Sequence, residues 1–246
     1  NGFMELPLVG MILGSISAVL LPVFSGMDKG DGMSNETLVV WNSALLKSAK
    51  LIFPMLIFSV FFAEPIMTCM YGDIYAQSSI YFVIKNLSGL FYIIPFYPII
   101  LAIGKTNSYA NAHMIAAFMI VMAEYVVCKT FDSAVYVAIT SELCKLFKIW
   151  LLLRVIANYA HKKITELLPP RPMTILIMIS VLASLPPFLL LDFLNMNKFI
   201  VLFVCLGFFL VDYYVLCWIC KVTYRDIAGG FLKNKSRLNA VVKILP

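Results

Sequence analysis

The length of the apolar blocks constrains this chain more than any other feature. Seven stretches, at residues 3–24, 51–71, 78–103, 109–128, 133–157, 173–193 and 198–220, each run for about 20 residues or more with few charges inside. A helix rises 1.5 Å per residue, so ~20 residues cross a hydrocarbon core of ~30 Å. Inside that core the backbone can bond only to itself, which limits spanning segments to helices and closed barrels. A barrel would show alternating segments of ~10 residues, and the sequence has none. The expected fold class is therefore all-α, a polytopic transmembrane helical bundle of seven spans. Composition agrees: 62% of residues are hydrophobic and 13% charged, and the mean hydropathy is +0.93. A soluble domain holds about 45–50% apolar and about 25% charged residues, and a disordered chain is poorer still in apolar residues.

Between the blocks the chain changes character. Residues 25–35 are polar and glycine-rich. Residues 36–50 read as an amphipathic helix, with Leu38, Trp41, Leu45 and Ala49 at helical spacing and Asn35 as its cap. The expected organisation is a five-helix core over 1–157, a basic, proline-rich elbow over 158–172, two additional helices over 173–220 and a basic tail over 221–246. Seven spans place the two ends on opposite sides. Fourteen of the 19 Lys and Arg fall on one set of flanks, among them Lys162, Lys163 and the tail, and two, Lys129 and Lys198, on the other. The positive-inside rule then makes the C-terminus cytoplasmic and residue 1 external. The net charge of +6 is read as topology and not as a nucleic-acid interface. The start, Asn1-Gly2-Phe3, has no initiator methionine and no basic leader before the first apolar block. It reads as a break in a longer protein, because a first span starting outside needs an upstream helix to deliver it there.

Ionisable residues within spans cost roughly 2.5–3.5 kcal/mol at a helix centre, so each needs a reason. The fifth block carries Thr140, Ser141, Glu142, Lys145 and Lys148 within nine residues, and the i,i+3 spacing puts the charges on one broad face. Such a face must meet protein or a water-filled cavity. Lys85 lies about 10 Å into the third block, beside Asn86 and Ser88. Lys85, Lys145 and Lys148 are the candidate anion site, with phosphate as the matching group; an internal Glu142–Lys145 ion pair that serves packing alone is the competing reading. Glu124, Glu142 and Asp212 are candidates for counter-ion or coupling carboxylate. Glu5 and Glu64 sit near the outer surface. Gly10, Gly14 and Ala18 form a small-residue face suited to close helix packing. Pro95, Pro98, Pro186 and Pro187 should kink their helices. The Cys217-x-x-Cys220 pair lacks a strand–helix setting and reads as packing. The two histidines, His113 and His161, form no metal cluster, and no nucleotide or hydrolase motif occurs. The sequence therefore points to no enzyme, cofactor or metal.

Several short runs resemble a known family. Leu20-Leu21-Pro22-Val23-Phe24-Ser25, Phe62-Ala63-Glu64-Pro65-Ile66, Met70-Tyr71-Gly72-Asp73-Ile74-Tyr75 and Leu101-Ala102-Ile103-Gly104-Lys105 are similar, in order and spacing, to polysaccharide flippases of the multidrug/oligosaccharidyl-lipid/polysaccharide exporter superfamily. Phe131-Asp132-Ser133-Ala134 leading to Thr140 and Ser141, and the tail run Val222-Thr223-Tyr224-Arg225-Asp226, extend the likeness. The resemblance implies a C-terminal lobe, helices eight to fourteen of a fourteen-helix exporter, whose N-terminal lobe would be its partner. It implies alternating access and the flipping of a lipid-pyrophosphate-linked oligosaccharide, an O-antigen or capsule repeat unit, across a bacterial inner membrane. A drug or cation exporter of the same superfamily and a non-transporting membrane scaffold are the alternatives. The former would want acidic residues in an apolar cavity.

Overall fold

Two prolines interrupt what the hydropathy pattern joins. In the computed structural model, which describes residues 6–27, 33–191 and 197–222, the second span is a pair of helices, α2 (Asn35–Phe61) and α3 (Ala63–Tyr71). Pro65 has no N–H to offer the carbonyl of Phe61, four residues back, and its ring crowds that carbonyl. Helix α2 therefore ends at Phe61. The third span is broken more deeply, into α4 (Ser79–Gly89) and α5 (Phe96–Ala102) with turns between. Pro95 removes a donor and forces Ile94 out of the helical region. The Ile94 carbonyl accepts instead from the Phe96 N–H at 2.9 Å. The expected kink is a discontinuity. Pro186 and Pro187 do less, since the helix containing them runs on to Leu190.

The remaining helices are α1 (Pro7–Met27), α6 (Thr106–Thr130), α7 (Ala134–Ala160), the short α8 (Ile164–Leu167), α9 (Pro170–Leu190) and α10 (Lys198–Ile219), with a 3-10 turn at Asp73–Ser78. No strand occurs among the described residues. Helices α1, α2, α6, α9 and α10 are long and apolar enough to cross a membrane. Helix α7, at 27 residues, has the length but carries the charges discussed below. The amphipathic stretch 36–50 is the first half of α2, which runs unbroken from Asn35 into the second span and buries Trp41, Leu45 and Ala49. Its cap is Ser34, one residue earlier than expected, whose Oγ accepts from the Thr37 N–H at 3.1 Å.

One apolar core joins α1, α2, α5 and α7 around Phe24, Trp41, Ile99 and Ile156. A second joins α2 to α9 and α10 around Phe58, Phe62, Ala183, Cys205 and Phe209. In lipid no hydrophobic gain drives helices together, so small residues that permit close approach matter most. Helix α9 supplies Ser180, Ala183 and Ser184, all fully buried, and α4 supplies Gly89, where a Cβ would come within 3.2 Å of Leu56 Cδ1. Gly10 and Gly14 do not play this part. A Cβ at either meets nothing within 4 Å, so that face of α1 is open and the expected close packing is absent. Cys217 lies in the second core and Cys220 is exposed beyond α10.

The two ends of the bundle are fastened differently. At one end Lys198 bonds Asp73, tying the start of α10 to the turn after α3. At the other, Trp41 Nε1 donates to the Leu167 carbonyl at 3.0 Å and Lys162 Nζ to Asn35 Oδ1 at 3.3 Å, tying α2 to the 158–172 elbow. Glu5, residues 28–32 and all but the first two residues of the 221–246 tail lie outside the described residues.

Candidate functional site

The site is built where the broken third span meets α7. Residues 85, 88 and 92 follow one another down the last turns of α4 into the turns beyond it, and α7 passes alongside. Glu142 is 3% exposed. Its Oε1 takes the Lys145 ammonium at 2.8 Å and the Lys85 ammonium at 3.6 Å. Its Oε2 accepts the Ser88 hydroxyl at 2.6 Å. Buried carboxylates persist only when paired and hydrogen-bonded, and this one has both. Asn86, also buried, donates to the Phe82 carbonyl of its own helix at 2.8 Å. Tyr92 covers Lys85, with 5.6 Å from ammonium to ring centroid, a cation–π distance.

Lys148 stands apart from this cluster. One turn further along α7, it forms no ion pair among the described residues. It lines a half-open cavity of about 200 Å³ together with Tyr92, Tyr97, Tyr109 and His113. Tyr109 packs between Tyr97 (5.9 Å) and His113 (4.3 Å), and His113 Nδ1 lies 3.0 Å from the Tyr109 carbonyl. A second cavity of about 220 Å³ holds Lys85, Asn86 and Gly89 and shares Leu13 and Tyr92 with the first. The two adjoin at Leu13 and Tyr92 in a cleft between α1 and the broken span, with Lys85 lining one part and Lys148 of α7, with Tyr109 and His113 of α6, the other.

The structure thus brings Lys85, Lys145 and Glu142 together and puts Lys148 in the adjoining cavity. The internal ion pair weighed from the sequence is present, and it takes in Lys85 as well as Lys145. Of the three candidate carboxylates, Glu142 is the one that pairs with Lys85 and Lys145. Glu124 is half-buried on α6, and Asp212 is half-buried on α10, which packs chiefly on α9. Neither forms an ion pair among the described residues. Glu64 is exposed in the first turn of α3. No motif in the sequence marks the tyrosines or His113 as cleft residues. The Tyr109–His113 i,i+4 spacing was visible, but only the break at Pro95 turns Tyr92 and Tyr97 toward it.

These features define a class, the polytopic helical membrane protein with a discontinuous span beside a buried charge cluster. The chain is similar to the solved structure described as "Lipid II flippase MurJ, inward closed conformation", with a TM-score of 0.62 and 18% identity over 89% of this chain and 45% of that one. The likeness establishes the fold, and the chain spans a little under half the length of that structure. No protein-family model matches the chain. No curated protein matches it either.

Proposed function

We propose that this chain is a lobe of a membrane transporter, not an enzyme, that flips a lipid-pyrophosphate-linked oligosaccharide of O-antigen or capsule type across a bacterial inner membrane. The carrying observation is Lys148, a cation in a tyrosine-lined cleft at a discontinuous span, within a fold shared with a flippase. Broken helices at membrane depth are tolerated where they line a cavity, and they mark substrate sites in many transporters. Lysines are point charges suited to phosphate. Lys85 and Lys145, already held by Glu142, would orient the pyrophosphate, and Lys148 would meet it from the other side of Tyr92. Alternating access requires a second lobe to rock against, and that lobe is the expected partner. The lysine-rich end of the bundle would face the cytoplasm.

The test is glycan display at the surface of a strain deprived of its own flippase and supplied with this chain and the proposed second lobe. Lys148→Gln should cut display at least ~10-fold, as loss of one charge-assisted phosphate contact predicts, while membrane insertion stays normal. Unchanged display from a Lys145→Gln, Lys148→Gln double variant would overturn the anion-site reading.

A further inference from the structure

The far end of α7 carries a surface that the transport reading leaves unused. Phe147, Trp150, Arg154, Asn158 and His161 recur at spacings of three and four, which places them in one stripe along the helix, and all are exposed. Phe147 and Trp150 stack at 5.6 Å and 27°. The Arg154 guanidinium lies 5.4 Å from the Trp150 ring centroid. Just past it a shallow cavity of about 480 Å³ is lined by Ala157, Asn158, His161, Lys162, Lys163 and Glu166. From Phe147 to His161 the stripe covers about 20 Å of axis. It passes from purely apolar, through an arginine lying on an aromatic ring, to a basic concavity.

Three local features keep that concavity in shape. His161 takes up a left-handed conformation, φ 51°, which turns the chain sharply off the helix. The Ala157 carbonyl receives the Lys162 N–H at 3.1 Å and the Asn158 carbonyl receives that of His161. This occupies oxygens that would otherwise repel an anion at a helix C-terminus. Finally, Leu167 is fully buried and its carbonyl is fixed by Trp41, so the elbow is held against α2.

We propose that this stripe and cavity dock one anionic phospholipid, its acyl chain along Phe147 and Trp150 and its phosphate between Arg154 and Lys163. The occupant follows from complementarity. A molecule with an apolar tail and an anionic head matches a surface whose apolar and basic parts follow one another along the axis of α7. Arginine over tryptophan is an interfacial pair, and basic clusters beside spanning helices attract acidic headgroups. Glu166 on the rim disfavours a second anion. Lys162, already donating to Asn35, serves mainly to hold the elbow.

The experiment is native mass spectrometry of the purified chain in detergent with phosphatidylglycerol or phosphatidylcholine. The expected result is retention of one phosphatidylglycerol in preference to phosphatidylcholine. That preference should fall about five-fold for each of Arg154→Gln and Lys163→Gln and weaken as salt is raised. Trp150→Ala should reduce retention of both lipids, and Lys148→Gln should change neither, which separates this site from the cleft. Equal retention of the two lipids would overturn the proposal. So would a preference that survives the Arg154→Gln, Lys163→Gln double variant, or one lost only with Lys148. Both glutamine substitutions are on exposed side chains, and unchanged circular dichroism confirms that the variants fold.

Discussion

Ser88 Oγ lies 2.6 Å from Glu142 Oε2, so the last turn of α4 is hydrogen-bonded to the middle of α7 just before the third span unwinds. With Lys85 on the other carboxylate oxygen, α4 contributes two of the three groups that hold Glu142. A single buried carboxylate therefore positions the broken end of a helix.

Removing that carboxylate should cost more than removing any of its partners. Glu142→Ala leaves two lysines without their shared counter-ion, and breaking a buried pair costs roughly 3–5 kcal/mol. Ser88→Ala removes one charge-assisted hydrogen bond, worth about 1.5–3 kcal/mol. Thermal melts in detergent should rank Glu142→Ala below Ser88→Ala and both below the unaltered chain. Equal melting of all three would show that the cluster does not stabilise the fold.

The class of fold could be read from block length alone, because the bilayer dictates it. The charge cluster was partly legible. Glu142 and Lys145 are neighbours on one helix, so their pairing follows from spacing. The contact of Lys85 and Ser88 with Glu142 spans 54 residues or more in sequence and depends on how α4 packs against α7. The break in the third span is not legible in the sequence, because proline inside a membrane helix gives either a kink or a rupture, and the choice rests on neighbours. Pro95 ruptures its helix, whereas Pro186 and Pro187 leave α9 intact. The small-residue face of α1 misled, since Gly10-x-x-x-Gly14 announces close packing without saying against what.

That open face gives a prediction of its own. Because a Cβ at Gly10 or Gly14 meets nothing within 4 Å, Gly10→Ala and Gly14→Ala should each leave the melting temperature of this chain unchanged or raise it. Replacing glycine by alanine within a helix gains roughly 0.5–1 kcal/mol. If the proposed second lobe seats on α1, bulkier changes such as Gly14→Leu should harm glycan display while this chain alone still tolerates them. A fall in the melting temperature of the isolated chain with either alanine would mean that the glycines are packed after all.

The Lys198–Asp73 bond and the Lys162–Asn35 bond mark opposite ends of the bundle. If the basic flanks face the cytoplasm, as the positive-inside rule predicts, a cysteine at 198 should react with an impermeant thiol reagent added to intact cells, and a cysteine at 162 only after lysis. The exchange should be made in a background with Cys128 and Cys220, both exposed, replaced by serine. The reverse pattern would invert the whole topology.

The sharpest separation of packing from substrate binding comes from exchanging Glu142 and Lys145. If the cluster exists only to hold α4 against α7, a Glu142→Lys, Lys145→Glu pair keeps one ion pair on the same helix face. Much of the stability and of any transport should then survive. Two details of the geometry argue otherwise. Ser88 and Lys85 both address residue 142 from α4, so a lysine there would face Lys85 directly. A carboxylate at position 145 would instead stand in the half-exposed place of an ammonium, on the side toward Lys148, and would repel a phosphate bound there. The expected outcome is partial recovery of the melting temperature relative to Glu142→Lys alone, with glycan display still lost. Lys145→Arg, which keeps the charge but changes its shape, should retain part of the display. Full recovery of both stability and display by the exchanged pair would reduce the cluster to a structural fastening and leave Lys148 as the sole cation of the cleft with a claim on substrate.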